Sequence, residues 1–425
     1  MRTKKIEVVL VTLLAVFFLS FIALAVDCPI PDTGQTKCYD NTQEITCPQP
    51  GEPFYGQDAQ YTCNPHSYTK LDENGNDLPD DATEWVMVWD NVTGLIWENK
   101  TDDGSIHDRD DEYNWEDAQD VFIATLNSQD FGGHSDWRLP TVKELTSIVD
   151  RGSYGPSINT TYFSNTGSVY GYWSSTTFAS SPYLAWGVDF LIGLVGYCKK
   201  SDGRVQVRAV RGGQDGSLNN FVDNWDGTVT DTNTGLVWQQ DGSTYNTWEE
   251  ALSYCENLTL AGYNDWRLPN VNELQSLVDY SRHNPAIDPV FSNTVSSSYP
   301  SGYWSSTTYV IGPGYAWVVS FDHGYIRVND KRDYNSCVRA VRGPFTTTTS
   351  TLPQPCLTET IYGEHSEQTD LLRYLRDNVL SQTPEGQEII KLYYELSPVI
   401  VEMINEDEEF RQQVKGMIDG VMDFL

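Results

Sequence analysis

The middle of this chain contains five sequence blocks twice, in the same order and about 130 residues apart. The first copy has TGLIW at 93–97, WEDA at 115–118, SDWRLP at 135–140, GYWSSTT at 171–177 and VRAVRG at 207–212. The second copy has TGLVW at 234–238, WEEA at 248–251, NDWRLP at 264–269, GYWSSTT at 302–308 and VRAVRG at 338–343. A repeat of this length is a domain, because a solenoid repeat spans only about 20–45 residues. The sequence therefore predicts two tandem domains of one fold.

Each copy combines strand patterns with helix patterns. The TGLxW, YWSSTT and VRAVRG blocks are typical of strands, and Gly-, Ser- and Asn-rich loops separate them. WEDA and WEEA each begin an amphipathic pattern, while LPTVKEL (139–145) and LPNVNEL (268–274) place a proline near the first turn of a second helix. Two helices beside an antiparallel sheet predict an α+β fold for each copy.

Composition narrows the class of partner. The 425 residues include 60 acidic and 27 basic ones, a formal net charge of −33. Nucleic acid is excluded as a partner, because phosphate binding needs clustered Lys and Arg. Hydrophobic residues at 39% and aromatic residues at 12% indicate a globular chain able to bury cores. Only six His occur, without an HExxH pair, which argues against a zinc hydrolase.

The amino-terminal residues have the pattern of an export signal. Arg2, Lys4 and Lys5 precede an apolar run over 8–24, which closes on Ala-Leu-Ala at 23–25. We predict a signal peptide at 1–25, with an uncleaved membrane anchor as the alternative. Asp27 stands before Cys28, where lipidation signals have a small residue. The protein is expected to be secreted or periplasmic, with cell-surface association left open and membrane contact only through an uncleaved signal.

The remaining boundaries follow from changes in composition. A Cys-rich segment is predicted at 26–83, the first domain at 84–213 and the second at 220–344. FTTTTSTLPQP at 345–355 is a Thr/Pro-rich linker. The acidic module at 356–425 has apolar residues at helical spacing, which predicts a small all-α tail. Such a tail is suited to docking a protein partner.

Eight cysteines in an exported chain are expected to form disulfides. Cys38–Cys47 would close a short loop, and Cys28–Cys63 is the simplest remaining local pair. Cys255 and Cys337 both lack a cysteine counterpart in the first copy, so a Cys255–Cys337 bond is predicted. Cys198–Cys356 follows only by elimination.

The repeated blocks resemble the family named for the C-terminal domain of the Legionella collagen-like protein. The likeness rests on TGLxW, DWRLPTxxEL, YWSST and VRxVRG, and covers roughly residues 84–343. The resemblance implies two tandem domains of C-type-lectin-like or formylglycine-generating-enzyme-like fold. It implies polysaccharide binding for the family's named member and no established chemistry for most others. The tail resembles a C-terminal box of exported bacterial proteins that has no assigned function.

Thirteen tryptophans invite a carbohydrate interpretation, because an indole ring can stack on a sugar. Ten of them occupy matched positions of the two copies and are expected in the cores: 97/238, 115/248, 137/266, 173/304 and 186/317. Trp85, Trp89 and Trp225 have no such match. They are the candidates for exposed ligand platforms.

The repeated arginines allow two interpretations. Arg138 and Arg267 each precede a glutamate by six residues (Glu144 and Glu273), which predicts an internal ion pair in each copy. The VRAVRG arginines could form a basic stripe for sulfated glycan, or could point partly inward and pair with carboxylates; these are Arg208, Arg211, Arg339 and Arg342. The net charge opposes approach of a polyanion and favours the second interpretation.

Acidic loops suggest calcium, a hard ion that takes six to eight oxygen ligands. One candidate loop at 71–81 offers Asp72, Asn74, Asn76 and Asp80. A second at 100–112 offers Asp102, Asp103, Asp108 and Asp110. Asp223, Asp226 and Asp231 flank a glycine turn of the kind that reverses a hairpin. For each loop, a solvated turn without metal is the alternative.

No GxSxG motif, nucleophilic Cys–His arrangement or phosphate-binding glycine loop occurs in the sequence. We therefore expect a non-enzymatic binding protein for carbohydrate or another extracellular ligand, acting in polysaccharide binding or adhesion with possible calcium support. The alternatives are a structural or interaction protein of the cell envelope that docks through its tail, and an enzyme of unidentified class.

Overall fold

The computed structural model describes residues 30–347 except 63, 168–170, 204, 213–219, 243, 297–301, 334–335 and 344–345, together with residues 411, 412 and 415. The chain divides into one unit of Asp27–Thr348 and another of Met1–Val26 with Thr349–Leu425. The predicted signal peptide, most of the linker and nearly all of the helical tail lie outside the described residues. Within the described part of the chain, no helix has both the length and the apolar character needed to cross a membrane.

The strands and helices follow the predicted blocks closely. Up to the end of the first copy the elements are β1 (Cys38–Tyr39), β2 (Glu44–Ile45), β3 (Tyr61–Thr62), β4 (Tyr68–Leu71), β5 (Asp77–Leu78), β6 (Met87–Asp90), β7 (Leu95–Glu98), β8 (Glu112–Tyr113), α1 (Trp115–Asp117), α2 (Ala124–Ser128), α3 (Val142–Ser147), β9 (Tyr172–Thr177), β10 (Leu184–Asp189), β11 (Leu194–Lys199), β12 (Val205–Gln206) and β13 (Val210–Gly212). A π-helical segment, Ala118–Ile123, joins α1 to α2, and short 3₁₀ turns occupy Asp58–Gln60 and Phe131–Gly133.

The second copy repeats this plan with a regular first helix. Its elements are β14 (Phe221–Asp223), β15 (Thr228–Asp231), β16 (Val237–Gln239), β17 (Thr244–Asn246), α4 (Trp248–Glu256), α5 (Val271–Ser276), β18 (Tyr303–Thr308), β19 (Tyr315–Ser320), β20 (Tyr325–Asp330), β21 (Ser336–Val338), β22 (Val341–Arg342) and β23 (Thr346–Thr347). Strands outweigh helices, which is consistent with an α+β or mostly-β fold.

The second helix of each copy begins at a capping box. The Thr141 hydroxyl accepts a hydrogen bond from the Glu144 amide at 3.2 Å, and the Glu144 carboxylate accepts one from the Thr141 amide at 2.7 Å. Asn270 and Glu273 make the same exchange at 2.9 Å each way. Because two otherwise unpaired amides are satisfied, the chain turns into a helix directly after the proline of each LP dipeptide.

The two copies share one ten-stranded sheet. The second copy contributes β17-β21-β18-β19-β20, and the first continues the sheet with β11-β10-β9-β12-β8. Each copy therefore supplies five strands in the same order, counted from its outer edge to the junction. The copies meet where β11 pairs antiparallel with β20, with Val195 opposite Ile326. The duplicated domain thus forms one body with an approximate two-fold relation between its halves.

A smaller sheet completes each copy, and in the first it extends the domain beyond its predicted start. The order is β13-β7-β6-β4-β5 in the first copy and β14-β15-β16-β22 in the second. Strands β4 and β5 come from residues before 84, so the first domain begins near Tyr68 rather than at 84. The Cys-rich segment 26–83 is therefore not a unit of its own, because its carboxyl-terminal part belongs to this sheet.

The matched tryptophans form the cores, as predicted. Nine of the ten are at most 2% exposed, and Trp115 alone is half-buried. They divide among clusters on the two faces of the large sheet, where they pack with the apolar residues of the helices. Burying a large aromatic ring removes more apolar surface from water than any aliphatic side chain does, which explains why these positions are the same in both copies.

Candidate functional site

A cleft lies between the two copies, where α3 and α5 pack against each other. It encloses about 410 Å³, and both helices and the loops next to them form its walls. Gln275 donates to the Thr146 hydroxyl across the junction at 3.2 Å. A cleft of this size falls in the range that accommodates small ligands. It contains none of the residues that the sequence singled out as ligand contacts.

One cation and one unpaired acceptor line this cleft. Lys143 donates from Nζ to the Ser276 carbonyl at 2.8 Å, and burial lowers the pKa of its ammonium to about 8 against the opposing charges of Asp279 and Asp231. Asn272 occupies the equivalent place in the second copy and is 7% exposed. Its Nδ2 donates to the Pro31 carbonyl at 3.0 Å, while its Oδ1 has no hydrogen-bond partner among the described residues.

Two reciprocal contacts close the junction beside the cleft. The Arg151 guanidinium of the first copy lies 4.1 Å from the ring centroid of Trp317 in the second. Tyr280 of the second copy packs edge-on against Trp186 of the first, with centroids 5.1 Å apart. These four residues occupy matched positions, so each copy inserts one loop residue against a core tryptophan of the other. Matched positions therefore form the junction from both sides, through a cation–π contact in one direction and an aromatic contact in the other.

The segment 31–62, here called the strap, lies across the second copy. Gln35 donates to the Thr308 carbonyl and accepts from the Thr308 amide, both at 2.8 Å. The Oδ2 atom of Asp58 accepts from the hydroxyls of Thr33 and Thr307 at 2.6 Å each. The strap contains the Cys38–Cys47 bond, with Cα atoms 5.0 Å apart. That predicted disulfide is confirmed, and it braces a segment that has little secondary structure.

The other predicted disulfides have different outcomes. The Cys255–Cys337 bond is wrong, because the structure does not join these sulfurs. Cys255 packs with Val338 in the cluster beneath α4, whereas Cys337 belongs to the core on the opposite face of the sheet. Neighbouring residues of a strand point to opposite faces, so only one of the pair 337 and 338 can face α4. Cys28, Cys63 and Cys356 lie outside the described residues, and with them the pairs Cys28–Cys63 and Cys198–Cys356.

The three candidate platforms are placed differently. Trp225 is 90% exposed at the tip of the β14–β15 hairpin, and Trp89 is 41% exposed on β6. Trp85 is not a platform, which corrects the prediction. It is half-buried against the core, its indole N–H donates to the Tyr162 carbonyl at 2.8 Å, and the Lys70 ammonium lies 4.0 Å from its ring centroid.

Trp225 has a left-handed backbone, with φ of 60°. A bulky residue is an outlier there, because its Cβ crowds the backbone in that region. The Asp223 carboxylate accepts from the Trp225 amide at 2.8 Å, and Asp226 accepts from the Thr228 amide at 3.0 Å and from its hydroxyl at 2.6 Å. These carboxylates fix a hairpin turn, as the alternative interpretation of this loop predicts. They also hold the indole of Trp225 away from the protein surface.

The 100–112 loop brings three of its four candidate carboxylates together. Ligand atoms of Asp102, Asp108 and Asp110 lie within 4.8 Å of one another. Asp103 instead caps the local turn, accepting from the Thr101 hydroxyl at 2.8 Å and the Ser105 amide at 3.0 Å. Hydrogen bonds from the side chain and amide of Ser105, and then from Thr101, lower the pKa of its carboxyl.

An arginine already neutralises part of this acidic group. The Arg109 guanidinium lies 2.9 Å from Asp102 and 3.7 Å from Asp110. Asp108 accepts three backbone N–H bonds, from residues 103, 104 and 110, and they lower the pKa of its carboxyl. An incoming cation would therefore compete with Arg109 and would find the oxygens of Asp108 already engaged.

The 71–81 loop is a turn in which the four candidate calcium ligands do not converge on one point. The Asp72 carboxylate accepts from the amides of Asn74 and Asn76 at 2.8 and 2.9 Å, and the side-chain amide of Asn76 also donates to it. These hydrogen bonds lower the pKa of Asp72. Asp80 instead accepts from the Tyr162 hydroxyl at 3.1 Å. Asp72 and Asn76 therefore fix the turn between β4 and β5, and Asp80 lies against Tyr162 instead.

The repeated arginines are buried or paired with carboxylates, in line with the second interpretation. Arg138 and Arg267 form two-pronged ion pairs with Glu144 and Glu273, at 2.5–2.8 Å. The other four split by position. Arg208 and Arg339 are fully buried and donate to backbone carbonyls, whereas Arg211 and Arg342 pair with Asp136 and Asp265. They do not form a basic stripe for sulfated glycan.

Sequence reasoning missed the buried charge cluster of the first copy. Glu98 is fully buried, and its Oε1 lies 2.8 Å from His107 Nδ1 and 3.2 Å from Lys100 Nζ. The matching position in the second copy is Gln239, which donates to the Tyr254 hydroxyl at 2.7 Å. One sequence signal could have indicated the cluster: the residue directly after the matched TGLxW block is a glutamate, Glu98, in the first copy and a glutamine, Gln239, in the second.

A comparison with known families agrees with the repeat. The family described as the Lcl C-terminal domain matches residues 86–211 and residues 227–342, which together make up more than half of the chain. No curated protein and no solved structure matches the chain. The two matched segments coincide with the two copies that the structure joins at β11 and β20.

Proposed function

The chain belongs to the Lcl C-terminal domain family, in two tandem copies, and we propose that it is an exported, non-enzymatic protein that binds carbohydrate at Trp225. The observation that carries the proposal is this tryptophan, 90% exposed on a left-handed backbone. Glycine or asparagine would adopt that backbone at a lower cost, and exposing an indole adds no packing. A bulky residue kept in a strained, exposed position is best explained by contact with a ligand.

The surroundings of Trp225 suit a sugar. An indole face offers an apolar, electron-rich surface to the C–H groups of a pyranose ring. Carboxylates and a carboxamide flank it in Asp223, Asn224 and Asp226, and such groups can accept and donate hydrogen bonds to sugar hydroxyls. Because the turn is already fixed by the Asp223 and Asp226 carboxylates, little conformational entropy would be lost on binding. We further propose that each copy is C-type-lectin-like in its detailed topology.

Calcium is proposed as a support of the first-copy loop. An ion between Asp102 and Asp110 would take the place of the Arg109 guanidinium, which lies against both carboxylates. Calorimetric titration of the chain with calcium tests this. Arg109→Gln should increase the affinity, because it removes the competing cation, and an absence of heat from both proteins at millimolar calcium would refute the proposal.

Glycan arrays test the carbohydrate proposal directly. The wild-type chain should bind a defined set of glycans, with calcium and with a chelator compared in parallel. Trp225→Ala should lose that binding, whereas Val222→Ala on the same hairpin, where Val222 is 46% exposed, should retain it. Binding of no glycan by the wild type, or equal binding by the Trp225→Ala protein, would overturn the proposal.

A further inference from the structure

The two copies carry the same strand sequence, YWSSTT, in different surroundings. In the second copy every residue of β18 is buried. In the first copy Tyr172, Trp173 and Ser174 of β9 are buried, but Ser175, Thr176 and Thr177 are only half-buried. Since the sequences are identical, the difference arises from what lies over the strand. Over β18 lies the strap.

The contacts of the strap define what this strand surface can bind. Thr307 accepts from the Val271 amide at 3.0 Å and donates its hydroxyl proton to Asp58. Thr176 accepts from the Val142 amide at the same 3.0 Å, but among the described residues its hydroxyl proton has no acceptor. The carboxamide of Gln35 donates to the main-chain carbonyl of Thr308 and accepts from its amide. Among the described residues, no side chain makes these two hydrogen bonds to the main chain of Thr177.

A lysine contacts the last threonine of the YWSSTT strand in both copies, next to the first helix of the copy. Lys200 lies 3.9 Å from the ring centroid of Trp115 and donates to the Thr177 hydroxyl at 2.8 Å. The second copy repeats this arrangement with Lys331, Trp248 and Thr308, at 3.7 and 2.9 Å. In the second copy the strap covers this lysine: Lys331 is fully buried and also donates to the carbonyl of the strap residue Asp40 at 3.0 Å.

The arginine–glutamate pair is also more exposed to solvent in the first copy than in the second. The Arg138 side chain is 38% exposed and that of Glu144 is 13% exposed, against 3% and 2% for Arg267 and Glu273. In the second copy the strap residue Tyr61 covers Arg267, with its ring centroid 5.4 Å from the guanidinium carbon. In the first copy a groove of about 310 Å³ lies beside the pair and reaches Ser175 and Gln119.

We propose that the first-copy surface formed by the groove beside Arg138, Glu144 and Ser175, together with the half-buried Thr176 and Thr177 next along β9, binds an extended polypeptide segment of a partner protein with the chemistry of the strap. The segment presents a carboxyl group to the Thr176 hydroxyl, a carboxamide to the main chain of Thr177 and an aromatic ring to Arg138. Polypeptide is the occupant because the same surface in the second copy already binds polypeptide through these contacts. Lys200 and Arg138 also favour a carboxyl group over a basic one.

The probe for this site is the strap itself, as a synthetic peptide of residues 33–62 with the Cys38–Cys47 bond closed and a fluorophore attached. Anisotropy titration with the full chain should show saturable binding of one peptide per chain. Ser175→Tyr fills the groove and should weaken binding at least tenfold, while Ser292→Tyr, at an exposed serine of the second copy, should not change it. A probe carrying Asp58→Ala should bind about 3- to 10-fold more weakly, because one hydrogen bond is lost. That comparison does not depend on how the chain variants fold.

Hydrogen exchange locates the bound peptide. The probe should slow exchange of amides in 175–177 and leave 306–308 unchanged. No binding, equal binding by the Ser175→Tyr chain, or slowed exchange confined to 306–308 would each overturn the proposal. Self-association of the chain without probe, abolished by Ser175→Tyr, would overturn the partner protein as occupant and assign the groove to a second copy. The Trp225→Ala protein should bind the probe normally, so this site and the proposed glycan site fail independently.

Discussion

The strap is held to the second copy by a buried acid that ionises near neutral pH. Asp58 is 5% exposed, and burial raises the pKa of its carboxyl from 3.8 to about 7, although the Thr33 and Thr307 hydroxyls partly offset this by donating to it. In the unfolded chain the carboxyl keeps its ordinary pKa. Between about pH 4 and pH 7 the folded chain therefore retains a proton that the unfolded chain has lost.

The sign and size of the effect on stability follow from these two pKa values. Because the folded state binds the additional proton, the free energy of unfolding falls as pH rises, by about 1.36 kcal/mol per pH unit within the window. From pH 4.5 to pH 7.5 the contribution of Asp58 amounts to a loss of about 3 kcal/mol. Above pH 7 the charged carboxylate remains buried and the loss levels off.

Asp58→Asn tests this, because an amide oxygen can still accept from both threonines but the group cannot ionise. Urea unfolding at pH 4.5 and 7.5 should show the variant gaining about 3 kcal/mol relative to wild type between the two values. Asp72→Asn is the control. The pKa of its carboxyl is lowered from 3.8, so its effect on stability is confined to pH below about 4, and this variant should keep the wild-type pH dependence between pH 4.5 and 7.5. Equal pH dependence of wild type and Asp58→Asn would refute the reasoning.

Three further predictions concern the repeated positions. Arg267→Ala leaves Glu273 buried without its cation and should cost about 3–5 kcal/mol in urea unfolding, whereas Arg138→Ala in the more exposed pair should cost about 1 kcal/mol. Trp304→Ala should lower the free energy of unfolding by about 3–5 kcal/mol, while Trp225→Ala should change it by less than about 0.5 kcal/mol; similar costs would contradict the division into core and platform. Peptide mapping of the unreduced chain should yield no fragment that links Cys255 to Cys337, and recovery of that fragment would restore the rejected disulfide.

The repeat made much of the interior predictable. Matched positions such as Trp173 and Trp304 had to be structural, because two copies with different loops share them and both are fully buried. The Arg138–Glu144 and Arg267–Glu273 pairs followed from the spacing between the DWRLP block and the first turn of the helix that follows it. Such contacts are local in sequence, so the pattern is sufficient to place them.

The contacts between segments far apart in sequence were not predictable in the same way. Nothing in the repeat indicates that the strap covers Thr307 and leaves Thr176 open, since the two strands read identically. The Cys255–Cys337 prediction was wrong because co-occurrence in one copy does not reveal which strand face a residue occupies. Trp85 was unmatched in the repeat, yet Lys70 on the neighbouring strand β4 covers its ring, and β4 lies before the predicted start of the domain.

The central claim is that the two copies share one sheet through β11 and β20, with Val195 opposite Ile326. A double variant, Val195→Cys with Ile326→Cys, tests it most directly. Under mild oxidation the two introduced thiols should form a disulfide in high yield, which mass spectrometry of proteolytic fragments detects. Thiols that stay unlinked and react with an alkylating reagent in the folded chain would show that the copies are separate, and would contradict the account.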